Sequence, residues 1–367
     1  MSRLPKIRAA VAALQPYHPP VEDRRGLRLD FNENTLGCSP RALAALRALD
    51  GEALARYPDY SEAEAALAAG WGHTPATCLL ANGVDDAIQL AVTAFAGPGD
   101  EIVLLEPCFA IYRFYAQLSG AALRRLRYRD RETGPGRRAF ALDFDELRAA
   151  LNPHTRLVFI ASPNNPTGHL AAPEMLLALA AQYPETAFFV DEAYAEFVAR
   201  EYRGLLGAVT ARPNLLVART YSKAYGLAGL RLGCLFAHPE LMPALRQAHS
   251  PYNVNVAAMA AALAAMQDKD WVENYRREVI ASRDRVERRL SEHGIVWWES
   301  AANFVLFHAG EQCDALLAGL RRQGILVRDR RGDHPGALRL TCGTLAQTER
   351  ALDALLALWK EPQRAGA

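Results

Sequence analysis

The sequence predicts an α/β protein: a large three-layer α/β/α domain on a mostly parallel sheet, then a smaller α+β domain. Three observations carry this. Between residues 79 and 249 strand patterns alternate with helical ones, the rhythm of a sheet covered by crossover helices. Several strands are near-continuous apolar runs, among them EIVLLEP (101–107) and RLVFIASP (156–163), as expected where both faces of a parallel sheet are buried. The rhythm breaks at the Pro/Asn turn SPYNVN (250–255), where a long helical stretch and paired short strands take over. The boundary is therefore set near 251. It gives a large domain over 30–250 and a small one over 251–367, with segment 1–29 packing on the latter. A chain of 367 residues, 50% hydrophobic and 23% charged, has ample length for two cores.

The elements follow in order. Residues 4–15 suit a short helix ended by Pro16 and the Pro19, Pro20 pair. LRLDFNENTLG (27–37) reads as a short strand running into an Asn/Asp/Gly turn. SPRALAALRAL (39–49) opens a helix with Ser39 as N-cap and Pro40 in its first position. SEAEAALAAG (61–70) repeats the pattern, with Ser61 and Glu64 as a capping box and Gly70 as the stop. Helices at 82–97, 109–120, 144–151 and 173–183 then alternate with strands at 101–107, 121–128, 156–163 and 187–194. The strand 214–220 feeds a Gly-rich loop, 230–237 is another strand, and 239–249 is a helix. One long helical stretch at 256–293 precedes strands at 294–299 and 303–309 and a helix at 313–323. Strands at 325–330 and 337–343 and a helix at 347–359 close the chain.

Composition narrows the function classes. The formal net charge is +1 and the arginines form no dense block, so no nucleic-acid or membrane surface is expected. Six cysteines without C-x-x-C spacing argue against a disulfide framework or a structural zinc, and for reduced thiols in a cytoplasm; no metal site is expected. The N-terminus lacks a sustained apolar signal region, and no apolar run reaches transmembrane length.

The chemistry centres on RTYSKAYGLAGLRLG (219–233). Lysine occurs only at Lys6, Lys223, Lys269 and Lys360, among 42 basic residues. A guanidinium stays charged at any working pH, whereas an amine can lose its proton and attack. Thr220, Ser222, Gly226, Gly229 and Arg231 around Lys223 offer hydroxyls, backbone N–H groups and one cation to an anion. An amine beside a phosphate cup suggests a lysine in Schiff-base linkage with pyridoxal phosphate; a Gly-rich loop with a solvated lysine fits this stretch equally well. Asp191 follows the apolar run AFFV, and a carboxylate there is costly without a partner. A protonated pyridine nitrogen is one such partner; the start of a following helix is another. Tyr194 can bond a ring oxygen or be a core tyrosine with a satisfied hydroxyl. An Asn of SPNNPTG (162–168) can do the same, or the segment can be only a turn. NGVDD (82–86) opens a helix whose N–H groups suit a phosphate, as many helix starts do. Phe109, after a strand and Pro107, can stack on a flat ring or fill the core. Arg328 and Arg339 lie in the last two strands and are candidates for a substrate's anionic ends.

Taken jointly and in this order, FNENTLG, RYPD, NGVDD, EPCFAIY, SPNNPTG, VDEAY, RTYSKAYGLAGLRLG, PYNVN, GILVRDR and LRLTCGT resemble the class I/II (fold type I) aminotransferases over nearly the whole chain. Within them the look is closest to the histidinol-phosphate branch. The resemblance implies a fold type I pyridoxal-phosphate transferase with a large cofactor-binding domain. Lys223 would hold pyridoxal phosphate and shuttle the substrate proton, with Asp191 on the pyridine nitrogen and Asn165 and Tyr194 on the ring's phenolate oxygen. Ser222, Arg231 and the backbone near Val84 and Asp85 would hold the phosphate, and Phe109 would stack on the ring. Tyr57 would reach the cofactor phosphate of the neighbouring subunit, making a homodimer with shared active sites. Arg339, with Arg328, Tyr17 and Asn165, would bind the substrate. Glutamate would give its amine and imidazole-acetol phosphate would take it. Aromatic or broad-specificity aminotransferases, and phospho-amino-acid decarboxylases, share the same core. This chain departs from the family pattern in Phe109 where tyrosine is usual, with Tyr112 nearby, in GVDD, and in Thr35 where proline is frequent.

Overall fold

A computed structural model describes residues 5–14, 24–199 and 202–359. In chain order its strands are β1 (Leu27–Leu29), β2 (Cys78–Ala81), β3 (Glu101–Glu106), β4 (Ala122–Arg127), β5 (Arg129–Gly134), β6 (Arg137–Ala141), β7 (Thr155–Ala161), β8 (Ala187–Asp191), β9 (Leu215–Thr220), β10 (Gly233–Phe236), β11 (Trp297–Trp298), β12 (Phe304–His308), β13 (Ile325–Asp329) and β14 (Ala337–Thr341). They form two seven-stranded sheets, ordered β2-β10-β9-β8-β7-β3-β4 and β1-β13-β14-β12-β11-β6-β5.

In the first sheet β4, β3, β7, β8 and β9 run parallel, and β10 is antiparallel to both β9 and β2. The mostly parallel sheet expected from the apolar runs is present. Their residues alternate between two cores: Val103, Val158, Val190 and Val217 face one layer of helices, while Ile102, Phe159, Phe189 and Leu216 face the other. A third core lies against the second sheet, around Phe304, Phe307, Leu338 and Leu340. The edge strand β4, ALRRLR, has no fully buried residue, and its charges discourage pairing with another chain.

Several elements differ from the sequence reading, each for a physical reason. Ser39 caps its helix as expected, accepting from the Ala42 N–H at 3.1 Å. The helix expected to start after a Ser61 cap, however, starts two residues early at Tyr60: Asp59 is its cap, and it accepts from the Ser61 N–H at 2.8 Å. A carboxylate serves as well as a hydroxyl there and also meets the helix dipole. Glu64 therefore closes no capping box; it is buried and accepts from Arg246 Nη1 at 3.2 Å. The long helical stretch is two helices, Val256–Gln267 and Lys269–Glu292, broken where Asp268 leaves helical dihedrals (φ −98, ψ 54). In the first described segment only Ala9–Ala12 is helical, and it lies beside helix Ala110–Ser119, with Arg8 donating to the Leu118 carbonyl at 3.2 Å. Among the described residues of the N-terminal segment, only β1 joins the second sheet, parallel to β13. Strands β5 and β6 went unread because RDRETG and RRAFA carry charge where apolar alternation would mark a strand. They form an antiparallel hairpin that joins β11, so the second sheet takes β1, β5 and β6 from before residue 251.

Candidate active site

The polar ends of β7, β8 and β9 open toward β13 and β14 of the second sheet, as expected of ligand sites beyond the carboxyl ends of parallel strands. A cleft of about 340 Å³ lies there. It is lined by Lys223, Asp191, Tyr194, Asn165, Val84, Asp85, Phe109, Ser222, Arg231, Arg328 and Arg339, so the structure gathers nearly all the residues singled out from sequence. Two are elsewhere. Tyr57 is exposed on the surface, its ring 4.5 Å from that of Tyr252. Tyr17 lies outside the described residues.

One end of the cleft is an anion cup. Helix Gly83–Phe95 points its N-terminus into it, and no side chain caps that end. Arg231 crosses the cup, with Nη1 3.3 Å from Ser222 Oγ and Nη2 3.1 Å from Asp85 Oδ2. Burial pushes Asp85 up and Arg231 pulls it back. A Cβ on Gly83 (φ +76) would sit 2.4 Å from Arg231 Nη2, so only glycine fits beneath the guanidinium. Asn32 (φ 55) and Arg231 (φ 58) are the non-glycine residues with positive φ among the described residues, and both line the cleft. Such backbone strain gathers at functional sites.

The other end holds a carboxylate. Asp191 is buried at the end of β8; its Oδ1 accepts from the Ala193 N–H at 2.9 Å and its Oδ2 from the Tyr112 hydroxyl at 2.6 Å. Burial raises Asp191 to about 6, against the pull of these two bonds. A cationic ring nitrogen beside it would hold it charged at neutral pH. Tyr112, buried and stacked at 5.1 Å on Phe159, is itself pushed well up by burial and by Asp191.

Between the two ends stands Lys223, its Nζ donating to the Phe31 carbonyl at 3.1 Å and lying 5.7 Å from the centre of the Tyr194 ring. The Tyr194 hydroxyl accepts from Asn32 Nδ2 at 3.0 Å and Asn165 Nδ2 at 3.4 Å. Asn165 Oδ1 in turn accepts from Arg339 Nη1 at 2.5 Å. Arg339 is buried; its Nη2 donates to the Asp30 carbonyl at 2.7 Å, and its Nε has no partner. Burial draws Arg339 down to about 9, with Arg330 adding to the effect, so it remains charged at pH 7. Among the described residues no carboxylate pairs with it.

Sequence reasoning missed two members. Asn32 was hidden in a segment that reads as a turn. Tyr112 registered only as a nearby aromatic; its position three residues after Phe109 on one helix face was the available signal.

The donor set fits pyridoxal phosphate. The cup beneath Arg231 could take the phosphate and Asp191 the ring nitrogen. Asn165 and Tyr194 could take the ring oxygen, and Lys223 is, among the described residues, the one amine lining the cleft. A family model for aminotransferase class I and II matches residues 24–355. Histidinol-phosphate aminotransferases of Roseobacter denitrificans and Ruegeria pomeroyi are 40% and 37% identical over 337 residues, each match covering 90% of both chains. The crystal structure of histidinol-phosphate aminotransferase from Sinorhizobium meliloti in complex with pyridoxal-5'-phosphate superposes with a TM-score of 0.84 at 26% identity, covering 97% of this chain and 98% of that one. An aspartate aminotransferase of Thermus thermophilus, 22% identical with a TM-score of 0.79, shares the fold. Sequence, fold and cleft agree: the chain belongs to the class I and II aminotransferases and uses pyridoxal phosphate.

Proposed function

We propose that this aminotransferase moves an amino group between glutamate and imidazole-acetol phosphate, yielding histidinol phosphate, as a cytoplasmic homodimer. The observation that carries the substrate reading is Arg339. A guanidinium buried without a carboxylate costs several kcal/mol unless a ligand anion completes it. Relatives 37–40% identical act on a phosphorylated substrate by their names. The exposed Tyr57 supports shared sites, because a ring left on the surface of one subunit is available to its neighbour.

Pyridoxal phosphate, when bound, supplies an aldehyde for amines and a ring that withdraws electrons from the substrate carbon. The chain's residues do the rest. Arg231, Ser222 and the start of helix Gly83–Phe95 anchor the cofactor phosphate. Asp191, oriented by Tyr112 and the Ala193 N–H, holds the proton on the ring nitrogen. Asn165 and Tyr194 orient the ring oxygen. Arg339 and Arg328 bind the substrate anion and fix the reacting carbon near Lys223, whose Nζ removes the proton there and returns it.

A half-reaction panel tests the substrate reading. The loaded enzyme is mixed separately with histidinol phosphate, glutamate, phenylalanine and tyrosine, and the cofactor absorbance is followed. Rapid conversion with the first two and little with the aromatics is expected; conversion mainly with aromatics would replace the substrate and keep the mechanism. Arg339→Ala is expected to raise the KM for histidinol phosphate by about 10- to 100-fold, the size of a lost charge-assisted hydrogen bond. An unchanged KM would remove Arg339 from the substrate pocket. Asp191→Ala should retain part of the cofactor and lose activity by roughly 100-fold; near-normal turnover would refute its role on the ring nitrogen.

A further inference from the structure

The cleft holds a fourth arginine, which the mechanism above leaves idle. Arg330 lines the cleft together with Arg328 and Arg339, and it also lines the groove outside β13. It therefore stands at the rim, between the interior and the surface. Its side chain is nonetheless only 14% exposed, with Asp333 Oδ2 2.9 Å from its Nε. The next residue behaves in the opposite way: Arg331 turns outward and pairs with Asp314 at 2.8 Å and Asp329 at 2.7 Å. Two adjacent arginines are thus split, one to the surface and one to the substrate cleft.

The turn that carries Arg330 is pinned in place. Between β13 and β14 the Asp333 and His334 N–H groups donate to the Arg330 carbonyl at 2.9 and 3.0 Å. His334 then reaches along the same second sheet to β5, β6 and β11. Its Nε2 is 3.2 Å from Asp130 Oδ2, and its ring packs 4.7 Å from that of Trp298 and 5.9 Å from that of Phe140. The charge of Arg330 acts on both Arg339 and Cys108.

We propose that Arg330 is a specificity residue that reads a phosphate dianion at the rim of the cleft and distinguishes it from a carboxylate. This rests on the reading of the substrate as a phosphate monoester. A carboxylate has two oxygens and one charge, which the Arg339 fork satisfies. A phosphate dianion offers three oxygens and two charges, enough to engage a further guanidinium beyond Arg339 and Arg328. Asp333 fixes Arg330 at Nε and offsets its charge when no dianion is present. Carboxylate substrates then meet two unopposed arginines rather than three.

The test uses the cofactor-loaded enzyme, so that added phosphate cannot enter the cofactor's own cup. Inorganic phosphate is titrated as an inhibitor of the glutamate half-reaction, and KM is measured for histidinol phosphate and for glutamate. Arg330→Gln is expected to weaken phosphate inhibition by about tenfold or more, and to raise the ratio of the two KM values by a similar factor. Asp333→Asn removes the competing carboxylate and is expected to strengthen phosphate inhibition. The proposal is overturned if Arg330→Gln retains the cofactor absorbance but leaves phosphate inhibition unchanged, or weakens acetate inhibition by the same factor. Should Arg330→Gln fail to hold cofactor, Asp333→Asn decides, and unchanged or weaker inhibition there overturns it. If the unmodified enzyme ignores histidinol phosphate, the substrate reading falls, while phosphate inhibition still judges Arg330.

Discussion

Lys223→Ala is expected to abolish transamination, with turnover in either half-reaction down by about 10⁴-fold or more, the upper end of what one positioned acid–base group supplies. Among the described residues no other lysine lines the cleft, so none is placed to substitute. The variant should still fold. Its side chain makes one bond to a backbone carbonyl, Phe31 at 3.1 Å, and the cup around Ser222 and Arg231 does not depend on it. Cofactor should therefore bind reversibly through its phosphate, and its absorbance should become that of the free aldehyde. A variant that kept both turnover and the original absorbance would sink the assignment.

The largest stability effect is expected at Arg219, which lies beneath the site rather than in it. Arg219 is buried, with Nη2 2.7 Å from Glu192 Oε2 and Nη1 3.1 Å from Glu196 Oε1, and its guanidinium lies 5.2 Å from the Trp71 ring. Burial alone would lower it; the two carboxylates carry it upward instead. Removing it leaves two buried carboxylates 4 positions apart in sequence, Glu192 and Glu196, with no cation between them. Arg219→Ala should cost about 3–5 kcal/mol of stability, read as a lower denaturation midpoint. Adding Glu192→Gln and Glu196→Gln should recover part of that loss, since the stranded charge is then gone. A single variant as stable as the parent would show that the cluster is solvated. The cluster also joins the residue after Asp191 to the residue before Thr220, so it fixes Asp191 relative to the lysine loop.

The first sheet was legible because its strands are buried on both faces and therefore written as apolar runs. The second was partly hidden. Its β5–β6 hairpin carries alternating charges, and β1 is three residues long. Asp59 displaced Ser61 as a cap because one turn contained two good candidates, and choosing between them requires the backbone angles. Site residues on strand ends and in glycine-rich turns, Asp191 and Lys223 above all, stood out because their chemistry conflicts with their surroundings. Asn32 and Tyr112 conflict with nothing locally; their roles come from partners 162 and 79 residues away, Tyr194 and Asp191. Arg330 was invisible among so many arginines until its side chain could be told from that of Arg331.

The bond from Arg339 to the Asp30 carbonyl spans 309 residues. During synthesis at about 5–20 residues per second, Asp30 waits on the order of 15 to 60 s for its partner. Over that interval the ribosome has already released Asp191, Lys223 and the whole phosphate cup, while β1 has no strand to lie against until β13 emerges. A nascent chain stopped short of β14 would thus hold the groups proposed to bind the cofactor without the guanidinium proposed to select its substrate. Closing the loop between Asp30 and Arg339 makes the proposed substrate selection wait until synthesis has passed β14.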